Sequence, residues 1–126
     1  MRAYFISDLH IAERGHQAND FDVQKERHLV ALCDRIRREG ASLYVIGDLF
    51  DRWAAPTTAI IPSNLGWLRS ALIPTITMWK PGNHDPRHLP PDWIRALRFG
   101  GPNLIELEPG YTVYMEHGHA WDASWT

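Results

Sequence analysis

The sequence predicts an α/β fold built on a largely parallel sheet, and three observations carry that reading. Short apolar runs with β-forming side chains recur at residues 3–7, 42–46 and 74–79. An amphipathic helical pattern lies between the first two, at residues 22–39. The third observation is the order itself: strands alternating with helices imply a parallel, right-handed βαβαβ arrangement. Sheets of this kind bind ligands beyond the carboxyl ends of their strands.

Each element has a local reason. "AYFIS" (residues 3–7) has the length of a buried strand and stops at Asp8. In the helical segment, Leu29, Val30, Cys33 and Ile36 recur at three- and four-residue steps between charges, and Gly40 is the expected stop. "SLYVI" (residues 42–46) is the second strand, ending at Gly47. Residues 54–63 read as a loop or broken helix because Pro56 and Pro62 interrupt them. Residues 64–72 read as a short helix despite Gly66, and "PTITMW" (residues 74–79) as the third strand. Residues 90–99 open on prolines and close at Gly100-Gly101, as a helix does. "NLIEL" and "YTVYME" flank Glu108-Pro109-Gly110 and read as a β-hairpin.

The 126 residues make one domain with one core, residues 1–126. A formal net charge of -2 disfavours coating of nucleic acid by bulk electrostatics, so nucleic acid stays open as a partner without being favoured. The lone Cys33 cannot form an internal disulfide, which fits a reducing compartment, and the cytoplasm is the expected location. No apolar run reaches the length of a membrane span or of a signal peptide.

The strand endings carry the chemistry. The first strand runs into Asp8 and His10, and the second into Asp48, Asp51 and Arg52. The third runs into Asn83, His84 and Asp85, and the last into His117 and His119. A parallel sheet gathers such ends along one rim. Carboxylate, imidazole and amide oxygen together suit borderline divalent metals such as Mn, Fe, Zn or Ni.

The motifs D-x-H, G-D-x-x-D, G-N-H-D and H-G-H, in this order from Asp8 to His119, resemble the calcineurin-like metallophosphoesterase superfamily. Each motif alone is weak, and four in order are specific. The resemblance implies part of an α/β/β/α sandwich and two divalent metal ions, manganese favoured. Asp8 and His10 would bind one ion, Asn83 and His117 the other, and Asp48 would bridge them. A shared carboxylate offsets repulsion between dications roughly 3.5–4 Å apart, and a hydroxide held between them attacks phosphorus. His84 would protonate the leaving oxygen, Asp51 would orient His84, and Arg52 would grip the phosphate. The implied substrate is a small phosphomonoester or phosphodiester.

The pattern breaks at one place. The family's last motif, G-H-x-H, does not follow His119, and Trp121 stands where its second histidine would be. The expectation is a domain whose C-terminal strands are missing and whose metals each lack one ligand. An oligomer would then cover the open sheet edge. A non-catalytic metal-binding or interaction remnant is the alternative, and a fragment of a longer enzyme a third reading.

Blander readings stand beside these. Asp8, Asp48, Asn83 and His84 taken singly are ordinary turn residues. Arg52 reads equally as a surface ion-pair partner, and Asp85 as assisting His84 or, the favoured reading, capping the following turn. His16 and His88 read as exposed loop residues, and His28 as inert on a helix face. Trp53, Trp67, Trp79 and Trp93 line a substrate groove or fill the core, with core favoured.

Overall fold

In a computed structural model, residues 2–118 are described; His119, Trp121 and Trp125 lie outside them. Three strands, β1 (Ala3–Ile6), β2 (Ser42–Ile46) and β3 (Ile76–Lys80), form one sheet in the order β1-β2-β3. Both pairings are parallel, with Phe5 opposite Tyr44 and Val45 opposite Trp79. The predicted βαβαβ core is therefore present, with β2 in the centre. Central β2 is the most deeply buried: Leu43 and Val45 are fully enclosed.

Helix α1 (Val23–Glu39) follows its sequence signals closely. The Asp22 side chain accepts from the backbone N–H of Lys25, filling one of the orphan donors of the first turn. Gly40 ends the helix at φ 65, a left-handed conformation that glycine adopts without a Cβ penalty. Leu29, Cys33 and Ile36 form its buried stripe.

The segment between β2 and β3 is more broken than one helix. α2 (Thr57–Ser63) contains Pro62 in its last turn, and α3 (Leu65–Trp67) leads into a π-helical turn, Leu68–Leu72. The wide turn is closed by the Ile73 N–H donating to the Leu68 carbonyl at 2.8 Å. Asn64, almost fully buried, holds the junction. Its Nδ2 donates to the carbonyls of Ala12 and Ile60, and its Oδ1 accepts from Trp67 Nε1. β3 starts later than the sequence implies, because Thr75 is used in the preceding turn, its N–H donating to Leu72 and its hydroxyl to Ala71.

Helix α4 (Pro91–Ala96) is also shorter than expected. Arg98, at φ 54, turns the chain so that Phe99 pairs beside Trp79. β4 (Leu104–Glu108) and β5 (Tyr111–Tyr114) form the expected antiparallel hairpin as a separate two-stranded sheet. An apolar cluster joins the three-stranded sheet to the helices and the strand-end loops, with Ile11, Phe50, Leu68, Leu72, Trp79 and Leu97 fully enclosed, and draws no residue from the hairpin. None of the described helices is long and apolar enough to cross a membrane.

Candidate metal centre

The loops leaving β1, β2 and β3 are laced together by main-chain bonds. Asp8 N–H donates to Gly47, His10 N–H to Asp48, and Arg52 N–H to His84, each at 2.9–3.0 Å. The chain adopts positive φ at Asp8 (59), His10 (51) and Asp48 (55). Left-handed backbone costs a non-glycine residue roughly 1–2 kcal/mol. Three such residues in one rim are a concentration of strain of the kind found at functional sites.

This lacing brings Asp8, His10 and Asp48 together, and the segment after β5 adds His117, a fourth predicted ligand. Asp48 is 3% exposed, and its Oδ2 lies 3.6 Å from His10 Nε2 and 3.3 Å from His117 Nε2. Asp8 Oδ1 lies 3.2 Å from His117 Nε2 and 3.7 Å from His10 Nε2. Burial pulls the Asp8 carboxyl upward, but hydrogen bonds from Ser7 and His117 outweigh it and hold the carboxyl below its ordinary value. Among the described residues, two trios have donor atoms within 4.8 Å of one another: Asp8, Asp48 and His117, and His10, Asp48 and His84. Asp48 belongs to both. Oxygen and imidazole donors converging on one buried carboxylate fit a borderline divalent cation.

Asp51 serves two imidazoles at once. Its Oδ1 lies 3.0 Å from His84 Nδ1 and its Oδ2 3.3 Å from His10 Nδ1. A carboxylate only accepts, so both Nδ1 atoms carry the hydrogen and each Nε2 is left for chemistry. Burial again opposes ionisation of Asp51, and the bond with His84 overcomes it, leaving the carboxyl lowered.

Other predicted residues are placed differently. Asn83 is half-buried and lines a cleft with Pro81, Pro86 and Phe99, and its carbonyl accepts from Arg52 Nη2. Arg52 also donates from Nε to the Asp85 carbonyl, so it holds the 82–85 loop in place. His16, His28 and His88 are exposed. Trp67 and Trp79 are core, whereas Trp53 is not: it stands at the rim against His84.

The residue that sequence reasoning undervalued is Asp85. Instead of capping the turn that follows it, it closes the turn before it, accepting from Gly82 N–H at 2.7 Å. It also accepts from Asp48 N–H, Phe50 N–H and Trp79 Nε1, while only 2% exposed. Burial raises its carboxyl to about 6 despite these donors. Asp85 is thus the buried post to which the Asp48 loop and the Gly82 loop are both tied. Its place directly after His84 was the only hint in the sequence.

Two glycines permit the close approach. A Cβ on Gly47 would lie 2.1 Å from the His117 ring, and one on Gly82 would lie 2.4 Å from Asp48 Oδ1. The glycines in "GDLFDR" and "GNHD" are therefore spaces occupied by candidate ligands.

Among curated proteins the chain is similar to UDP-2,3-diacylglucosamine hydrolase of Porphyromonas gingivalis W83, with 44% identity over 52 residues. That stretch covers 41% of this chain and 19% of that protein. No solved structure matches the chain. The sequence matches the calcineurin-like phosphoesterase family over residues 1–125, and with the strand-end cluster in place the chain belongs to that family.

Proposed function

We propose that the chain hydrolyses a phosphomonoester or phosphodiester with two divalent cations, manganese favoured. Asp8, His10, Asp48, Asn83 and His117 would hold them. The observation that carries this reading is the convergence on Asp48, a buried carboxylate faced by the Nε2 atoms of both His10 and His117. A buried carboxylate is costly unless compensated, and cations compensate it. When bound, such a pair supplies an activated water and neutralises charge on the phosphate oxygens.

The chain's own contribution is positional. Asp51 holds the Nδ1 of His84, which turns Nε2 toward the rim as the proton donor for the leaving oxygen. The same carboxylate steadies His10. Arg52 fixes the loop bearing Asn83 and His84, and the rest of its guanidinium is the group for gripping a phosphate oxygen. The strained backbone at Asp8, His10 and Asp48 favours a working site over a non-catalytic remnant. The fully buried lone thiol of Cys33 fits a cytoplasmic location.

The test is hydrolysis of bis-p-nitrophenyl phosphate and p-nitrophenyl phosphate with manganese. Turnover that disappears in Asp48→Ala supports the reading. No turnover of either ester, together with no manganese uptake, overturns it.

A further inference from the structure

We propose that Trp53 is a stacking platform for the leaving group, so that the preferred phosphate ester carries a planar aromatic or heterocyclic alcohol. The inference rests on the phosphoesterase reading above and names the substrate class of that same site.

Trp53 is a large apolar side chain, 58% exposed, at the rim of a polar centre. Its ring centroid lies 3.6 Å from that of His84, with a tilt of 40°. Nothing in core packing requires the residue there, because the apolar cluster closes without it.

The turn that carries the indole is itself fixed. Its backbone N–H donates to Asp51 Oδ1 at 3.1 Å, the same oxygen that holds His84 Nδ1. The Ala54 N–H donates to that oxygen as well, which closes the turn around the tryptophan. Arg52 Cζ stands 5.8 Å from the ring centroid, and the guanidinium is itself anchored by two carbonyls. A ring carried on a fixed turn and packed against His84 has less freedom left to lose when a planar partner stacks on it.

Position supplies the chemical class. The group that His84 would protonate is the leaving oxygen, so whatever hangs from that oxygen emerges beside Trp53. A flat π-system there gains a stacking contact on the indole, while a small alkyl group does not. Stacking of a base on an aromatic side chain is worth about 1–3 kcal/mol, and tenfold in affinity corresponds to about 1.4 kcal/mol.

The experiment uses two ligands that cannot be hydrolysed, phenylphosphonate and methylphosphonate, titrated calorimetrically into the manganese-loaded chain. The expected result is binding of phenylphosphonate about tenfold tighter than methylphosphonate. Trp53→Ala should bring that ratio to near one with methylphosphonate affinity kept within about twofold, and Trp53→Phe should retain most of the preference. A wild-type chain without preference overturns the proposal, as does a ratio unchanged in Trp53→Ala. Equal weakening of both ligands in Trp53→Ala also overturns it, since that is what simple packing on His84 predicts. Because binding is read without turnover, the two failures are distinguishable: a wild-type preference that Trp53→Ala removes keeps the platform whatever the nitrophenyl assays give, whereas loss of both turnover and manganese uptake overturns the phosphoesterase reading.

Discussion

Asp51 Oδ1 lies 3.0 Å from His84 Nδ1, and the same carboxylate reaches His10 Nδ1 through its other oxygen. One side chain therefore orients a proposed proton donor and a proposed metal ligand together. Asp51→Asn keeps the shape but cannot accept from both imidazoles. We expect turnover and manganese affinity to fall together, each by about 10–100-fold, the usual effect of losing such a supporting group. Steady-state kinetics paired with manganese titration checks this. Loss of turnover with metal affinity intact would mean that His10 does not depend on Asp51.

His84 stands within ligand reach of His10 and Asp48, so its role as acid rather than ligand needs its own test. His84→Ala should lower turnover by about 100-fold or more, in line with general acid catalysis. The manganese stoichiometry should remain that of the wild type, read by elemental analysis after gel filtration. Loss of one ion per chain would make His84 a ligand.

Asp85 satisfies three backbone N–H groups and one indole in a buried position. Asp85→Asn places an amide donor where only acceptors fit. The expected loss is about 3 kcal/mol of stability, the scale for a buried charged acceptor whose donors are left unmatched. Urea unfolding of the metal-free chain measures it. A change of a few tenths of a kcal/mol would show that the loops do not depend on this post.

Gly47 sits at φ 80 with the His117 ring in the space of a Cβ. Gly47→Ala should displace His117 and weaken manganese binding by more than about tenfold, the loss expected for one ligand contact. Calorimetric titration would expose the opposite result, an unaltered affinity. For the wild type, adding manganese at about 100 times its dissociation constant should stabilise the fold by about 2.7 kcal/mol, and chelation should reverse the gain.

Cys33 is fully enclosed, and burial raises its thiol above the ordinary value. It should resist aromatic disulfide reagents in the native chain and react at once in urea. Because the folded thiol keeps its proton to higher pH, its contribution to stability is present below the unfolded thiol's pKa. That contribution is lost as pH rises through the folded value. Rapid labelling under native conditions would place Cys33 outside the core.

Several features were legible from residue order because their causes are local. The span of α1 followed from apolar spacing and the Gly40 stop, and the Asp22 cap became visible only in the structure. β2 and the hairpin followed from β-rich runs bounded by turn residues. The π-helical turn at Leu68–Leu72 was not legible, since it depends on packing around Asn64 and on the Ile73–Leu68 bond. Trp53 was misread for a similar reason: a tryptophan's size favours the core, and only the Asp51 turn carries this one to the rim.

By itself the sequence determined the alternation of strands and helices and the kinds of donor placed after each strand. Both depend on side-chain pattern and turn chemistry within a few residues. Tertiary structure alone decided that Asp48 meets His10 and His117, that Asp51 serves two imidazoles, and that Asp85 ties two loops together. Apart from the Gly82–Asp85 bond, those contacts join residues more than thirty positions apart, and their distances depend on how the parallel strands and the segment after β5 deliver their residues to one rim.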